Sequence, residues 1–248
     1  DVYKLPEEQR SGLISLLEDF HSYCCLVLVY DQLPYTPPRT YKKLYAALDK
    51  HVQQVDFEEQ SQSEILKWVA RRFRAAGHSI DAPTAEHLLF TCGRLMNGLI
   101  PEIGKIAAYA RDERITRADI DAVAAPVLEA QVFDMTKAVA KGSFDRAAEV
   151  LGSLLQLQEE PFMLLALMGR ELRMLYTARI ALDEGRDQFW LMEQWNMRSN
   201  YQAGLLLENA RRVTRPWCAD AVRRCCELDV RMKSVSGVDG AGELKLLL

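Results

Sequence analysis

Long apolar runs, clustered histidines, metal-spaced cysteines and any strong excess of one charge are all missing from this 248-residue chain. No unbroken apolar stretch exceeds that of Cys24 to Tyr30, far short of the roughly 20 residues that cross a bilayer. The opening Asp1-Val2-Tyr3-Lys4 is polar and carries no signal-peptide pattern. Lys and Arg number 31 against 35 Asp and Glu, a net charge of −4. The signs are also mixed locally, since residues 61–125 carry 9 bases and 8 acids. No segment is a basic arm, which argues against a protein whose main task is to coat nucleic acid or an anionic membrane. The six cysteines (Cys24, Cys25, Cys92, Cys218, Cys225 and Cys226) form no Cys-x-x-Cys pair. Free, mostly buried thiols in a reducing cytosol are therefore expected. His21, His51, His78 and His87 are scattered, so no metal site is expected.

Nucleotide and acyl-transfer signatures are absent too. A phosphate-binding loop needs Gly-x-x-x-x-Gly-Lys followed by Ser or Thr, because backbone amides hold phosphate and the hydroxyl holds magnesium. The nearest approach, Gly98 to Gly104-Lys105-Ile106, has five residues between its glycines. It also places Ile106 where the metal ligand belongs and Pro101 inside a helical pattern, so it reads as packing. Neither Gly-x-Gly-x-x-Gly nor Gly-x-Ser-x-Gly occurs. His87 reads as a surface or satisfied core residue, with Cys92 or Glu86 as its nearest partners in sequence. The sequence offers no catalytic residue and no cofactor site.

What is present is helical periodicity. Residues 6–19 read as a short helix. Cys24 to Tyr30, apolar on both faces, reads as a strand buried in a parallel sheet. A helix over about 40–50 and a second strand, Val52 to Phe57, complete a βαβ pattern. Two strands make no stable sheet alone, so the remaining strands are expected before Asp1, as a first residue other than Met also suggests. From Ser61 onward every periodic segment is helical. Ser61 and Glu64 form a capping box for a helix that Gly77 ends. Asp81 caps the next, with Pro83 in its first turn, and Thr116 to Asp119 opens another. Pro161 starts a long helix to about Asp183, with Phe162, Leu165, Met168, Leu172, Leu175 and Ile180 at three- and four-residue spacings. Helices near 199–213 and 215–233 follow. A flexible loop at 237–242 then leads into a final apolar turn. Domain boundaries are expected at 1–60, 61–125 and 126–248.

Two surfaces stand out. The segment Phe189 to Tyr201 is aromatic-rich and reads as lying between helices. Trp195, Arg198 and Tyr201 suit stacking on the bases of a single strand while the cation meets phosphate, and Trp190 and Trp195 suit filling a gap between packed helices. Arg211, Arg212, Arg215, Arg223 and Arg224 form a basic cluster, read as a solvated face or a surface for an acidic partner.

The order of these parts resembles the delta subunits of bacterial DNA polymerase III clamp loaders. The residues that carry the resemblance are Leu26 to Tyr30, Val55-Asp56-Phe57, Leu66-Lys67-Trp68-Val69, Ile103 to Ala110 and Ile115 to Ile120. It continues through Val132 to Met135, Glu160-Pro161, Arg170 to Arg173 and Glu227 to Ser234. Each motif alone is weak, and their order over nearly the whole chain is far more specific. The resemblance implies a mainly α fold: a remnant of an α/β AAA+-like module with two parallel strands, a small helical lid bundle and a C-terminal helical collar. It implies a cytoplasmic, non-hydrolysing subunit without cofactor that helps load the sliding clamp on primed DNA. Its partners would be delta prime and tau/gamma subunits through the collar, with Phe162, Leu165, Met168, Leu172 and Leu175 in the oligomer contacts. The clamp-gripping element of the family lies upstream of the matched region. Hydrolysing relatives place an arginine in a lid Gly-x-x-Arg pattern, where Gly93-Arg94-Leu95-Met96 has Met96 instead. The rival readings are an active ATPase whose phosphate loop lies before Asp1, and a helical adaptor unrelated to replication.

Overall fold

The computed structural model describes residues 2–30, 35–38, 40–57 and 60–248. Chain contacts separate two units, Asp1–Glu59 and Gln60–Leu248, each taken here by itself.

In the first unit a short 3-10 turn, Val2–Lys4, precedes α1 (Glu7–Glu18), and α2 (Lys42–His51) packs against α1. Their core is small: Tyr3, Leu17, Leu44, Ala47 and Leu48. Tyr3 joins it through polar and ring contacts, a 3.1 Å hydrogen bond between its hydroxyl and that of Tyr35 and a stacked Tyr41 ring. Arg10 lies over the Tyr41 ring at 4.3 Å and donates to the Leu5 carbonyl at 2.6 Å.

The two expected strands are not formed. Cys24 to Tyr30 is irregular backbone, and Val27 and Val29 are 72% and 73% exposed. Val52 to Phe57 is irregular as well, with Phe57 93% exposed. An apolar, β-branched run records a fitness for a pleated, buried surface, but a strand exists only when a neighbour accepts its ladder of N–H and C=O groups. Neither segment pairs with the other. Among the described residues the one bridge is between Ser79 and Arg114.

The second unit holds two cores. The first lies among α3 (Gln62–Ala75), α4 (Ala82–Cys92), α5 (Met96–Tyr109) and α6 (Arg117–Val123). It contains Val69, Phe73, Leu88, Leu99, Ile106, Ile115 and Ile120, all essentially inaccessible. Local signals set these helices. Ser61 and Glu64 form the full reciprocal capping box, as do Thr116 and Asp119. Asp81 accepts from the Thr84 amide at 2.8 Å, and Gly77 turns the chain out of α3 at φ +86. Pro101 sits inside α5, where it removes one intrahelical donor without ending the helix.

The second core lies among α7 (Leu128–Ala140), α8 (Phe144–Gln156), α9 (Pro161–Asp183), α10 (Gln188–Trp195), α11 (Asn200–Ala210), α12 (Arg215–Ser234) and α13 (Gly240–Leu247). Its axis is α9, whose 23 residues give a length of about 34 Å. Helices α7, α10, α11, α12 and α13 all pack on it. That explains why its buried residues surround most of the cylinder rather than one stripe. It also carries Arg170, Glu171, Arg173 and Arg179, and no described helix is long and apolar enough to cross a membrane.

Two helices depart from the sequence expectation. The aromatic segment is not a connection up to Tyr201: α10 occupies Gln188–Trp195, capped by Asp187 and closed by Asn196 in the left-handed region. The expected loop at 237–242 is shorter, since Asp239 caps α13 from Gly240 onward. Gly240 is held close there. A Cβ on it would lie 2.8 Å from Met232 Cε and 3.0 Å from Pro161 Cβ.

Candidate functional site

The clearest polar constellation lies where the first core of the second unit meets the second. His87 on α4 reaches two partners far away in sequence. Its Nδ1 is 2.9 Å from the Tyr201 hydroxyl on α11, and its Nε2 is 2.6 Å from Asp121 on α6. An ionised carboxylate only accepts, so in the neutral imidazole Nε2–H donates to Asp121 and Nδ1 accepts from Tyr201. Burial pushes the Tyr201 hydroxyl above its usual range, against the opposing pull of Arg117, which keeps it protonated for that role. Arg117 lies over the Tyr201 ring at 5.2 Å. Phe90 meets Tyr201 edge-on at 5.9 Å and Phe133 of α7 at 4.9 Å. Four helices are thus tied at one point by a His with both ring nitrogens engaged and by three interlocked rings.

Tyr201 therefore belongs to this junction, with its ring covered by Arg117 and Phe90. Trp195 closes α10 and packs, half-buried, against the second core. Arg198 is exposed on the short link between α10 and α11. The structure does not gather the three into one stacking surface. Nothing local in the sequence marks His87 or Asp121 as partners of Tyr201, because they lie 114 and 80 residues away; only Arg117 and Asp121, four apart on α6, share an element.

The stripe on α9 is also divided. Leu165, Met168, Leu172 and Leu175 are no more than 7% exposed and lie inside the core of their own chain, so they are not surface for a partner. Phe162 is different: it is 48% exposed, beside Met163 at 53% and Leu157 at 68%. These three flank the turn between α8 and α9 and form an apolar surface at one end of the bundle. A cleft of about 240 Å³ opens among α7, α9, α12 and α13, lined by Val139, Phe144, Met168, Leu172, Trp217 and Leu248.

The remaining candidates resolve simply. Gly98, Gly104 and Lys105 lie within α5, whose amides serve the helix, and Lys105 pairs with Glu102 at 2.7 Å. Arg223 is paired with Asp220 and Glu227, and Arg224 with Asp220, so half of the basic cluster is neutralised. Cys92, Cys218 and Cys225 are buried, while Cys24, Cys25 and Cys226 are exposed. Burial pushes Cys92 up to about 12 and Cys218 and Cys225 up to about 11, which keeps these thiols protonated and unreactive. The vicinal pair faces two ways, with Cys225 inward and Cys226 outward. Arg94, in the lid-type motif, donates to Gln62 at the start of α3.

Comparison with known proteins bears on the second core directly. Residues 129–247 match the family described as DNA polymerase III delta subunit, C-terminal domain. The chain is 22% identical over 229 residues to the DNA polymerase III subunit delta of Bacillus subtilis, covering 92% of this chain and 65% of that protein. It is 25% identical over 143 residues to a probable DNA polymerase III subunit delta of Aquifex aeolicus, covering 57% and 41%. The chain thus spans less than two thirds of the length of either relative. Among solved structures, the Bacillus subtilis DNA clamp loader delta protein shares the fold, with a TM-score of 0.59 at 22% identity, over 96% of this chain and 69% of that one.

Proposed function

Since this chain belongs, through residues 129–247, to the DNA polymerase III delta subunit family, we propose that it acts as a clamp-loader delta subunit. In this reading it is a scaffold that helps place the sliding clamp on primed DNA. Residues 61–125 act as a lid-like bundle and 126–248 as a collar that docks with the other loader subunits, delta prime and tau/gamma. Work is done by binding: packed helices hold the geometry of neighbouring ATPases, which supply the chemistry.

One observation supports the collar role most. The bundle around α9 buries nearly all of its apolar stripe yet leaves Leu157, Phe162 and Met163 exposed together. An apolar cluster of this kind, on a bundle that already has a full core, suits a contact with another chain. The test is reconstitution of the full chain with loader ATPase subunits, followed by size-exclusion chromatography. Wild-type protein should co-elute with them. Phe162→Asp should weaken that association at least tenfold while leaving the melting temperature of the free chain unchanged, because an exposed side chain contributes little to its own fold. A wild-type chain that stays alone in the mixture would overturn the reading.

A further inference from the structure

We propose that the solvent face of α3 is a docking surface for the phosphate backbone of nucleic acid. The inference goes beyond the scaffold reading and does not depend on it. Helix α3 buries Ile65, Val69 and Phe73. At about 100° per residue, Lys67, Arg71 and Arg74 fall within an arc of about 60° directly opposite that stripe. All three are exposed, and among the described residues none of them enters an ion pair or a side-chain hydrogen bond. Elsewhere many exposed arginines are matched: Arg114 by Asp81, Arg146 by Glu149, Arg223 by Asp220 and Glu227, Arg231 by Glu243. The only acid on α3 is Glu64, and it is held by Ser61 in the capping box.

The geometry suits a polyanion of regular repeat. Lys67 to Arg74 spans about 10 Å of helix axis, close to the rise of three nucleotides along one strand. Beside the row, the Arg72 guanidinium lies over the Trp68 ring at 5.2 Å, adding a fourth cation. No large apolar side chain is exposed on α3, so the face lacks the apolar centre that a protein interface needs. A row of cations without such a centre suits sequence-independent phosphate contact. The chain's net charge of −4 works in the same direction, because it disfavours a polyanion elsewhere and confines it to this face.

The experiment is fluorescence anisotropy of a labelled primed DNA with the full chain, titrated at salt concentrations from about 50 to 200 mM. Wild-type protein should bind at low salt. The triple variant Lys67→Ala, Arg71→Ala, Arg74→Ala should bind at least tenfold more weakly. The slope of log affinity against log salt should also fall by nearly 3 units. The variant Arg211→Ala, Arg212→Ala, on a different exposed surface, should behave as wild type, and circular dichroism should show all variants equally helical. Three results would each overturn the proposal: no binding by wild type at low salt, an unchanged slope in the triple variant, or unchanged DNA affinity alongside lost capture of poly-glutamate. The last would assign the face to an acidic protein instead.

Discussion

Glu171 is the residue whose chemistry fits its surroundings least. It is 6% exposed at the middle of α9, and its Oε2 has no hydrogen-bond partner among the described residues. Burial pushes its carboxyl up to about 7; Arg170 opposes the shift and Glu129 adds to it. The folded state therefore holds a proton that the unfolded chain, titrating near 4.5, has already released. Below about pH 4.5 the group costs nothing. As pH rises toward 7 the unfolded state ionises first, and folding loses stability until both states are ionised. The full shift corresponds to at most about 3 kcal/mol. Glu171→Gln removes the titration, so the difference in unfolding free energy between variant and wild type should grow from pH 4 to pH 7 and level off above. Urea denaturation at several pH values measures it, and a parallel pair of curves would rule the assignment out.

At the scale of elements, the ends of the helices carry most of what can be tested. Asp81 caps α4 and also meets Arg114; its hydrogen bonds to Thr84 and Arg114 hold the carboxyl down to about 2. A depressed value means that the contribution is complete above about pH 4 and disappears as pH falls through 2. Asp81→Ala should cost about 1 kcal/mol at pH 7, the usual worth of such a cap, and nothing measurable near pH 1.5 in a helicity-monitored melt. Gly240 is the second case. A methyl group there meets Pro161 and Met232, and although Met232 can move aside, the Pro161 ring cannot. Gly240→Ala should therefore destabilise by about 1–2 kcal/mol through forced separation of α13 from the start of α9. Caps of this kind were open to sequence reasoning: Ser61 with Glu64, Asp81 and Thr116 with Asp119 all announced their helices. Asp187 and Asn196 announce α10 in the same way, but the dense aromatic residues between them read more readily as a binding segment.

For the molecule, the decisive feature of residues 60–248 is the junction at His87. Tyr201→Phe keeps the ring contacts with Phe90 and Arg117 but leaves Nδ1 of a mostly buried imidazole without its donor. A loss of about 1–2 kcal/mol should follow, the usual consequence of an unsatisfied buried acceptor. Combined with His87→Leu, the effects should fall short of additivity by about 1 kcal/mol, as contacting partners do. Additive losses in a chemical-denaturation cycle would show that the two side chains do not depend on each other. Asp121→Asn should matter less, because that carboxylate is 62% exposed and the pair is open to solvent. The same junction explains why Tyr201 was misread from its neighbours in sequence. A tyrosine beside tryptophans and an arginine looks like a stacking residue until a histidine 114 positions earlier is found against it.

Most of the helical architecture follows from local order in the chain. Apolar residues at three- and four-residue spacings, bounded by Ser, Thr, Asp and Gly, define the helices from α3 to α9 within a few positions, since capping and one-sided burial act within a turn or two. The mainly α character, and the resemblance to delta subunits carried by motifs across the chain, were legible for the same reason. Pairing, exposure and contact between distant helices were not. Whether Cys24 to Tyr30 becomes a strand depends on a neighbour for its backbone. Whether Leu165 or Phe162 faces outward depends on which helices surround α9. These are properties of three-dimensional packing, where residues far apart along the chain compete for the same surface, and only the folded structure decides them.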